Sequence, residues 1–358
     1  MLAITTVGLD IAKSVFQVHG VDARGSVIVR RQLKRRYVLA YFKKLPPCLV
    51  GIEACATSHH WSRELQALEH TVRLIPPAYL KPYVKRQKND AADAEAICEA
   101  VQRPSMRFVP TKTREQQSCL MLHRTRHLFI RQQTAIINTI RAHLAEFGIV
   151  APVGRDGVEE LLYAVADQRD ERIPEVARGC LEALGALLGK LKAQILEFDR
   201  QINAWHRSNE TCRRLDELPG VGPALATALV ASVADPKAFR SGRDFSAWIG
   251  LVPKQNSSGG REKLGSITKQ GDRYLRSLFT AGALAVIRYA KIHGYKHRPW
   301  LARLLERRPT KVAAIALANK LARMAWAMMA KGERYREPLA AGPLGEATRN
   351  EIASVGAV

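Results

Sequence analysis

Apolar and polar positions alternate through the first 76 residues, in short runs such as AITTVGLDIA, SVFQVHGV and GSVIVRRQL, parted by turns that contain Gly or Asp. Alternation of this kind suits strands with one buried face. CLVGIEA (48–54) is instead nearly continuous in apolar residues, which fits a buried strand. SHHWSRELQALEH then reads as an amphipathic helix, and TVRLIPP as one more short strand stopped by two prolines. Three hairpin-like strands followed by strand, helix, strand and helix predict a mixed α/β sheet.

The period changes at Thr113. TREQQSCLMLHRTRHLFIRQQTAIINTIRAHLAEFG is helical in spacing, with a Thr start and a Gly stop. A less regular connector leads to a second long helix over 173–209, where Leu181, Leu184, Leu188, Leu191, Ile195 and Phe198 step by three and four. Two such helices predict an antiparallel hairpin. It can serve as a dimerising coiled coil or as an ordinary bundle core, and periodicity does not separate the two. The last third opens with LDELPGVGPALATALVA, passes through the Gly- and Ser-rich GLVPKQNSSGGREKLGSITKQGDRYLR, and ends in two helices before a tail rich in Ala, Gly and Glu.

Charge narrows the partner. Fifty-six Lys and Arg stand against 33 Asp and Glu, a formal net charge of +23, which favours a polyanion and above all nucleic acid. The best membrane candidate, 312–330, is interrupted by Lys320 and Arg323, and MLAITTVGLDIAKS lacks the plan of a signal peptide. No membrane partner is expected. Six widely spaced cysteines without a C-x-x-C pair fit buried thiols in a reducing cytosol. The pairs His59/His60 and His123/His127 have no matching ligands and read as structural or solvent-facing.

Within this frame a few residues carry chemistry. Asp10 in VGLDIAKS and Glu53 in LVGIEACA interrupt two strands that otherwise look buried, and a buried carboxylate needs a partner or a metal. In QKNDAADAEAI (87–97), Asp90 and Asp93 share one face at the start of a helix. Helix capping explains that pair alone, with Asn89 or Asp90 as N-cap. If the two strands are adjacent and the helix crosses their ends, the four acids converge, which suits two Mg²⁺ ions about 3.5–4 Å apart at a phosphodiester. The order of the acids resembles RNase H-like nucleases, particularly RuvC-type resolvases. In LPGVGPALATALV (218–230), Gly220 and Gly222 would expose backbone N–H groups to a phosphate, as in a helix–hairpin–helix, or form a tight turn between packed helices. NSSGG places two hydroxyls on a flexible loop. Around it, residues 254–311 hold 14 Lys/Arg and three acids, and Lys254, Arg261, Lys263, Lys269, Arg273 and Arg276 are candidates for phosphate contact.

GLDIAKSVFQVHG, GIEACATSHHW, KNDAADAEAI, LPGVGPALATAL and GLVPKQNSSGGREKLGSITKQGDRYLRSLF, in this order and spacing, resemble the DEDD transposases of the insertion sequence 110 family over roughly residues 5–330. The resemblance implies a RuvC-like, RNase H-like α/β domain (1–112), a long-helix coiled-coil connector (113–210) and a mainly α transposase domain (211–335); composition alone marks 336–358 as a flexible tail. It implies metal, most simply Mg²⁺, on Asp10, Glu53, Asp90 and Asp93. The nucleophile it implies is Ser258, with Ser257 the register alternative, forming a phosphoserine link to DNA. Its partners would be donor and target DNA, a structured guide RNA and further copies of the chain, in a bacterial cytoplasm at the nucleoid. Whether acids and serine act in cis or in trans stays open, and a RuvC-like nuclease using metal-activated water is the rival reading. Asp272 in KQGDRYLR stands where Asn is expected more often.

Overall fold

The computed structural model describes residues 3–84, 89–295 and 298–337, so most of the expected tail, and Lys85 and Arg86 of the basic run before Asn89, lie outside the described residues. The chain forms two compact units, residues 1–116 with 233–238, and residues 117–232 with 239–358.

The first unit contains β1 (Thr6–Ile11), β2 (Val15–Val21), β3 (Val27–Lys34), α1 (Val38–Phe42), β4 (Leu49–Glu53), α2 (Ser58–Gln66), β5 (Thr71–Ile75), α3 (Pro77–Leu80) and α4 (Asp90–Val101). Its five-stranded sheet has the order β3-β2-β1-β4-β5. β1, β2 and β3 form an antiparallel meander, while β4 runs parallel to β1 and β5 parallel to β4. Val7, Leu9, Val50 and Ile52 pack with Phe42 of α1 and with Trp61 and Leu65 of α2. The residues between them on β1 and β4, Gly8 and Gly51, meet α4 on the opposite face. Burial on both faces explains why β4 reads as an unbroken apolar run. The short helix α1 spans only five residues and carries no helical period in the sequence.

Gly8 and Gly51 set how closely α4 lies on the sheet. A Cβ on Gly8 would sit 2.1 Å from the Ala94 carbonyl oxygen, and one on Gly51 would sit 2.8 Å from Val101 Cβ. Gly8→Ala is therefore expected to push α4 off the sheet and to destabilise the unit by roughly 2–3 kcal/mol or more. Chemical denaturation of the variant checks this, and parental stability would contradict the packing.

The second unit is mostly helical: α5 (Arg114–Ala145), α6 (Arg155–Ala166), α7 (Glu175–Ser208), α8 (Glu210–Asp216), α9 (Pro223–Ser232), α10 (Gly242–Ile249), a hairpin of β6 (Pro253–Gln255) and β7 (Leu264–Ile267), then α11 (Arg273–His293), α12 (Pro299–Arg307) and α13 (Thr310–Lys331). α5 and α7 are antiparallel. Arg126 bonds Asp199 at 2.7 Å, Phe129 meets Phe198 at 5.6 Å, and Ile140 and Leu144 share a core with Leu181 and Leu188. α6, inside the irregular connector, adds Val158, Leu161 and Val165 to that core. Arg178 holds its exit by donating to the carbonyls of Val165, Asp167 and Asp170 at 2.6–2.7 Å. Part of the leucine seam is thus filled from within the chain.

Three helices, not two, follow the Gly- and Ser-rich segment, because prolines at 299 and 309 start new helices. Among the described residues α13 alone is long and apolar enough to cross a membrane. It buries Ala314, Leu317, Ala318, Leu321, Ala322 and Ala325 within the unit, as a core helix does.

Candidate functional site

Asp10 and Glu53 each stand one residue beyond the Leu9–Ile52 pair of adjacent parallel strands. Each is also two residues beyond a glycine that touches α4, so strand alternation turns both toward the helix-bearing face. Gly8 faces Ala94 and Cys98, so moving up β1 to Asp10 means moving toward the start of α4. Asp90 and Asp93 occupy that first turn. Capping itself belongs to Asn89, whose side chain accepts from the Ala91 N–H at 3.0 Å. Asp90 and Asp93 are therefore not needed to cap the helix.

Asp10 and Glu53 respond to this setting. Asp10 is pushed up to about 6, first by burial and then by the charges of Asp93, Asp90 and Glu53. Glu53 is raised by burial and by Asp93. Among the described residues no cation forms an ion pair with any of the four. Nor, as placed, do three Asp, Glu, His or Cys side chains among the described residues close around one point as a ligand cage would. The arrangement is an anionic cluster at the carboxyl ends of two strands, with Asp10, Glu53 and Asp93 partly buried and Asp90 exposed. Cys55 is a neighbour that the sequence reading did not single out, and its thiol is raised by burial and by Glu53.

The raised Asp10 carboxyl makes stability depend on pH. Its folded pKa lies above the unfolded one, so its contribution is intact below about pH 4 and is lost as pH rises through about 6. For a half-exposed group the loss is about 1–2 kcal/mol after screening by water. In chelator-treated protein, the thermal midpoint of the parent should fall between pH 4 and 7 by a few degrees more than that of Asp10→Asn. Equal slopes would mean that neither burial nor the neighbouring acids raise Asp10 in the folded protein.

The other candidates lie in the second unit. Gly259 and Gly260 turn the β6–β7 hairpin with φ of 56° and 75°, a conformation that side chains disfavour. Ser257 is built into the hairpin, its Oγ accepting from the Lys263 N–H at 3.1 Å and the Gln255 amide at 3.3 Å. Ser258 is exposed, and among the described residues its hydroxyl has no partner. Lys254, Arg261, Lys263, Lys269 and Arg273 are exposed as well. Arg276 differs, since its guanidinium donates to the carbonyls of Ile249 and Gln270 at 2.7 and 3.0 Å. Asp272 caps α11, accepting from the Tyr274 and Leu275 N–H groups at 2.8 and 3.0 Å, a task Asn performs equally.

Gly220 and Gly222 lie in the turn between α8 and α9. Gly220 (φ 95°) is packed so that a Cβ would meet Val286, the Gly282 carbonyl and Leu321, whereas Gly222 is open. The histidine pairs are structural where buried: His123 bonds Tyr274 Oη at 3.0 Å and Thr227 Oγ1 at 2.9 Å, and burial holds it neutral, near 4. The cysteines depart in part from expectation, because Cys180 is exposed and Cys55 only half-buried.

Comparison with known proteins adds an independent line. Residues 7–149 match a DEDD transposase model of the IS110 group, and residues 212–297 match the model described as transposase IS116/IS110/IS902 family. A "Probable family 20 transposase" of Pseudomonas aeruginosa is 48% identical over 93% of this chain and 99% of its own. The transposase for insertion sequence element IS1111A of Coxiella burnetii is 40% identical over 94% of this chain and 92% of its own. That for IS1328 of Yersinia enterocolitica is 37% identical, over 92% and 98%.

Proposed function

Because the chain belongs to the IS116/IS110/IS902 family of transposases, enzymes that cleave and rejoin DNA, we propose that Asp10, Glu53, Asp90 and Asp93 bind divalent metal and that Ser258 is the nucleophile. The observation that carries this reading is geometric: Asp10 and Glu53 stand on the α4-facing side of two adjacent strand ends, toward the helix turn that holds Asp90 and Asp93, and four carboxylates gathered there without a described counter-cation fit a hard cation. Mg²⁺ is the proposed ion, and when bound it supplies Lewis-acid stabilisation of charge on the phosphate. In this reading the sheet of the first unit is RNase H-like, of RuvC type, and the segments are those expected from sequence: 1–112, 113–210 and 211–335.

Ser258 Oγ attacks a phosphodiester phosphorus. One P–O bond forms to the serine as another breaks to the leaving sugar oxygen, and the serine proton ends on that oxygen. The phosphoserine ester keeps the energy of the broken bond, so reversal of the step with a second strand rejoins DNA without an external energy source. Support for Ser258 over Ser257 comes from the hydrogen bonds that occupy the Ser257 hydroxyl.

Donor and target DNA, together with a structured guide RNA, are the proposed partners. The net charge of +23 and the exposed Lys254, Arg261, Lys263, Lys269 and Arg273 support phosphate contact. Gly220 and Gly222 form the turn of a proposed helix–hairpin–helix, with Gly222 offering its backbone and Gly220 fixing the packing. Arg276 assists by holding the end of α10 in place. Self-association through the α5–α7 pair completes the proposal. The test is strand cleavage of DNA carrying the element's own ends, with Mg²⁺ or with chelator, in the parent and in the two variants taken up in the Discussion.

A further inference from the structure

The end of α11, the whole of α12 and the first half of α13 meet at one corner of the second unit, and none of their exposed cations is among the residues assigned above. Lys291 Nζ donates to Thr310 Oγ1 at 3.2 Å, and Lys320 Nζ lies 4.7 Å from the centre of the Trp300 ring, tying the three helices together. Residues 288–311 hold eight Lys/Arg against one acid, Glu306. Arg288, Arg303, Arg307, Arg308 and Lys311 are exposed, and none is in an ion pair among the described residues. Cations gathered in this way repel one another, and a polyanion relieves the repulsion.

The same end of α11 that carries Arg288 also carries free aromatic surface. Tyr289, 62% exposed, and His293 one turn later hold their rings 4.2 Å apart on the outer face of α11. Exposed cations and exposed rings on the same group of helices match an unpaired nucleotide strand, whose bases can stack while its phosphates pair with Arg and Lys. A duplex keeps its bases hidden. A second copy of this chain would set like charges against like. An anionic membrane is disfavoured because α12 spends its apolar side on the core, with Leu301 buried and Leu304 and Leu305 half-buried.

We propose that this corner is a second nucleic-acid surface that takes an unpaired strand, with phosphates on Arg288, Arg303, Arg307 and Lys311 and one base stacked on Tyr289 and His293. The proposal rests on the transposase reading and adds to it where, and in which form, a strand is held.

The experiment is fluorescence anisotropy with a labelled single-stranded 20-mer (as DNA and as RNA) and with the matching duplex. Tyr289→Ala should weaken single-strand binding by about 5- to 150-fold and leave the duplex within about twofold, while Tyr289→Phe binds as the parent does. The triple variant Arg303→Gln, Arg307→Gln, Lys311→Gln should reduce the slope of log K against log salt for the single strand by about 2. These side chains are exposed, so the thermal midpoints should stay parental. Equal effects of Tyr289→Ala on single strand and duplex overturn the stacking assignment. Parental binding by all variants, with a parent that cleaves DNA, overturns the surface and leaves the transposase reading standing. A parent that neither binds nor cleaves overturns that underlying reading first. Lost sedimentation with phosphatidylglycerol vesicles, with oligonucleotide affinity kept, replaces the strand by a membrane.

Discussion

Asp10→Asn is expected to reduce strand cleavage more than about 100-fold while leaving affinity for duplex DNA within about threefold. The substitution keeps the size of the side chain and removes one negative charge from a cluster in which Asp93, Asp90 and Glu53 already repel it. It therefore relieves the fold while weakening the site's hold on a cation. Opposite signs on stability and activity are the signature: the variant should be at least as stable as the parent at pH 7 and yet inactive. Simple misfolding lowers both together. Full cleavage by Asp10→Asn in Mg²⁺ would remove the carboxylate centre from the mechanism.

Ser258→Ala is expected to abolish both the covalent protein–DNA adduct and recombination. Denaturing gels of stalled reactions should show labelled DNA migrating with the parent protein and none with the variant. Ser257→Ala is the informative partner, because Ser257 accepts two hydrogen bonds within the hairpin whereas the Ser258 hydroxyl has none among the described residues. Loss of those bonds should cost roughly 0.5–1.5 kcal/mol each and slow the reaction, with adduct still forming. Adduct that persists in Ser258→Ala and vanishes in Ser257→Ala would shift the nucleophile by one residue. If both variants cut normally and leave free DNA ends, water is the nucleophile and the enzyme cleaves as a metal nuclease.

The succession of strands and helices in the first unit and the two long helices were legible in sequence, because each rests on a period; the sheet order was not, and an approach of the four acids followed only on the condition that the strands of Asp10 and Glu53 are adjacent. Other elements left no such trace. β6 is exposed along its whole length and β7 nearly so, so no alternation marks them. α1 spans five residues, too few to establish a helical period. α6 follows Gly154 and carries Gly157 in its first turn, residues that read as a connector. The glycines under α4 did leave a sign, since VGLD and VGIE both place Gly two residues before the acid. That repetition records a close approach by the helix, which a reading focused on the acids passes over.

The two glycines differ in what they allow over evolutionary time. Beneath Gly51 the obstacle is the side chains of Val101 and Ile97, so a larger residue there can be accommodated by trimming its neighbours. Beneath Gly8 the obstacles nearest to hand are the Ala94 carbonyl and the Cys98 amide nitrogen, which every amino acid carries. No second substitution on α4 removes them. Tolerance of substitution around this centre is therefore expected to be lopsided: β4 and α4 can change in concert, while position 8 has no compensating path.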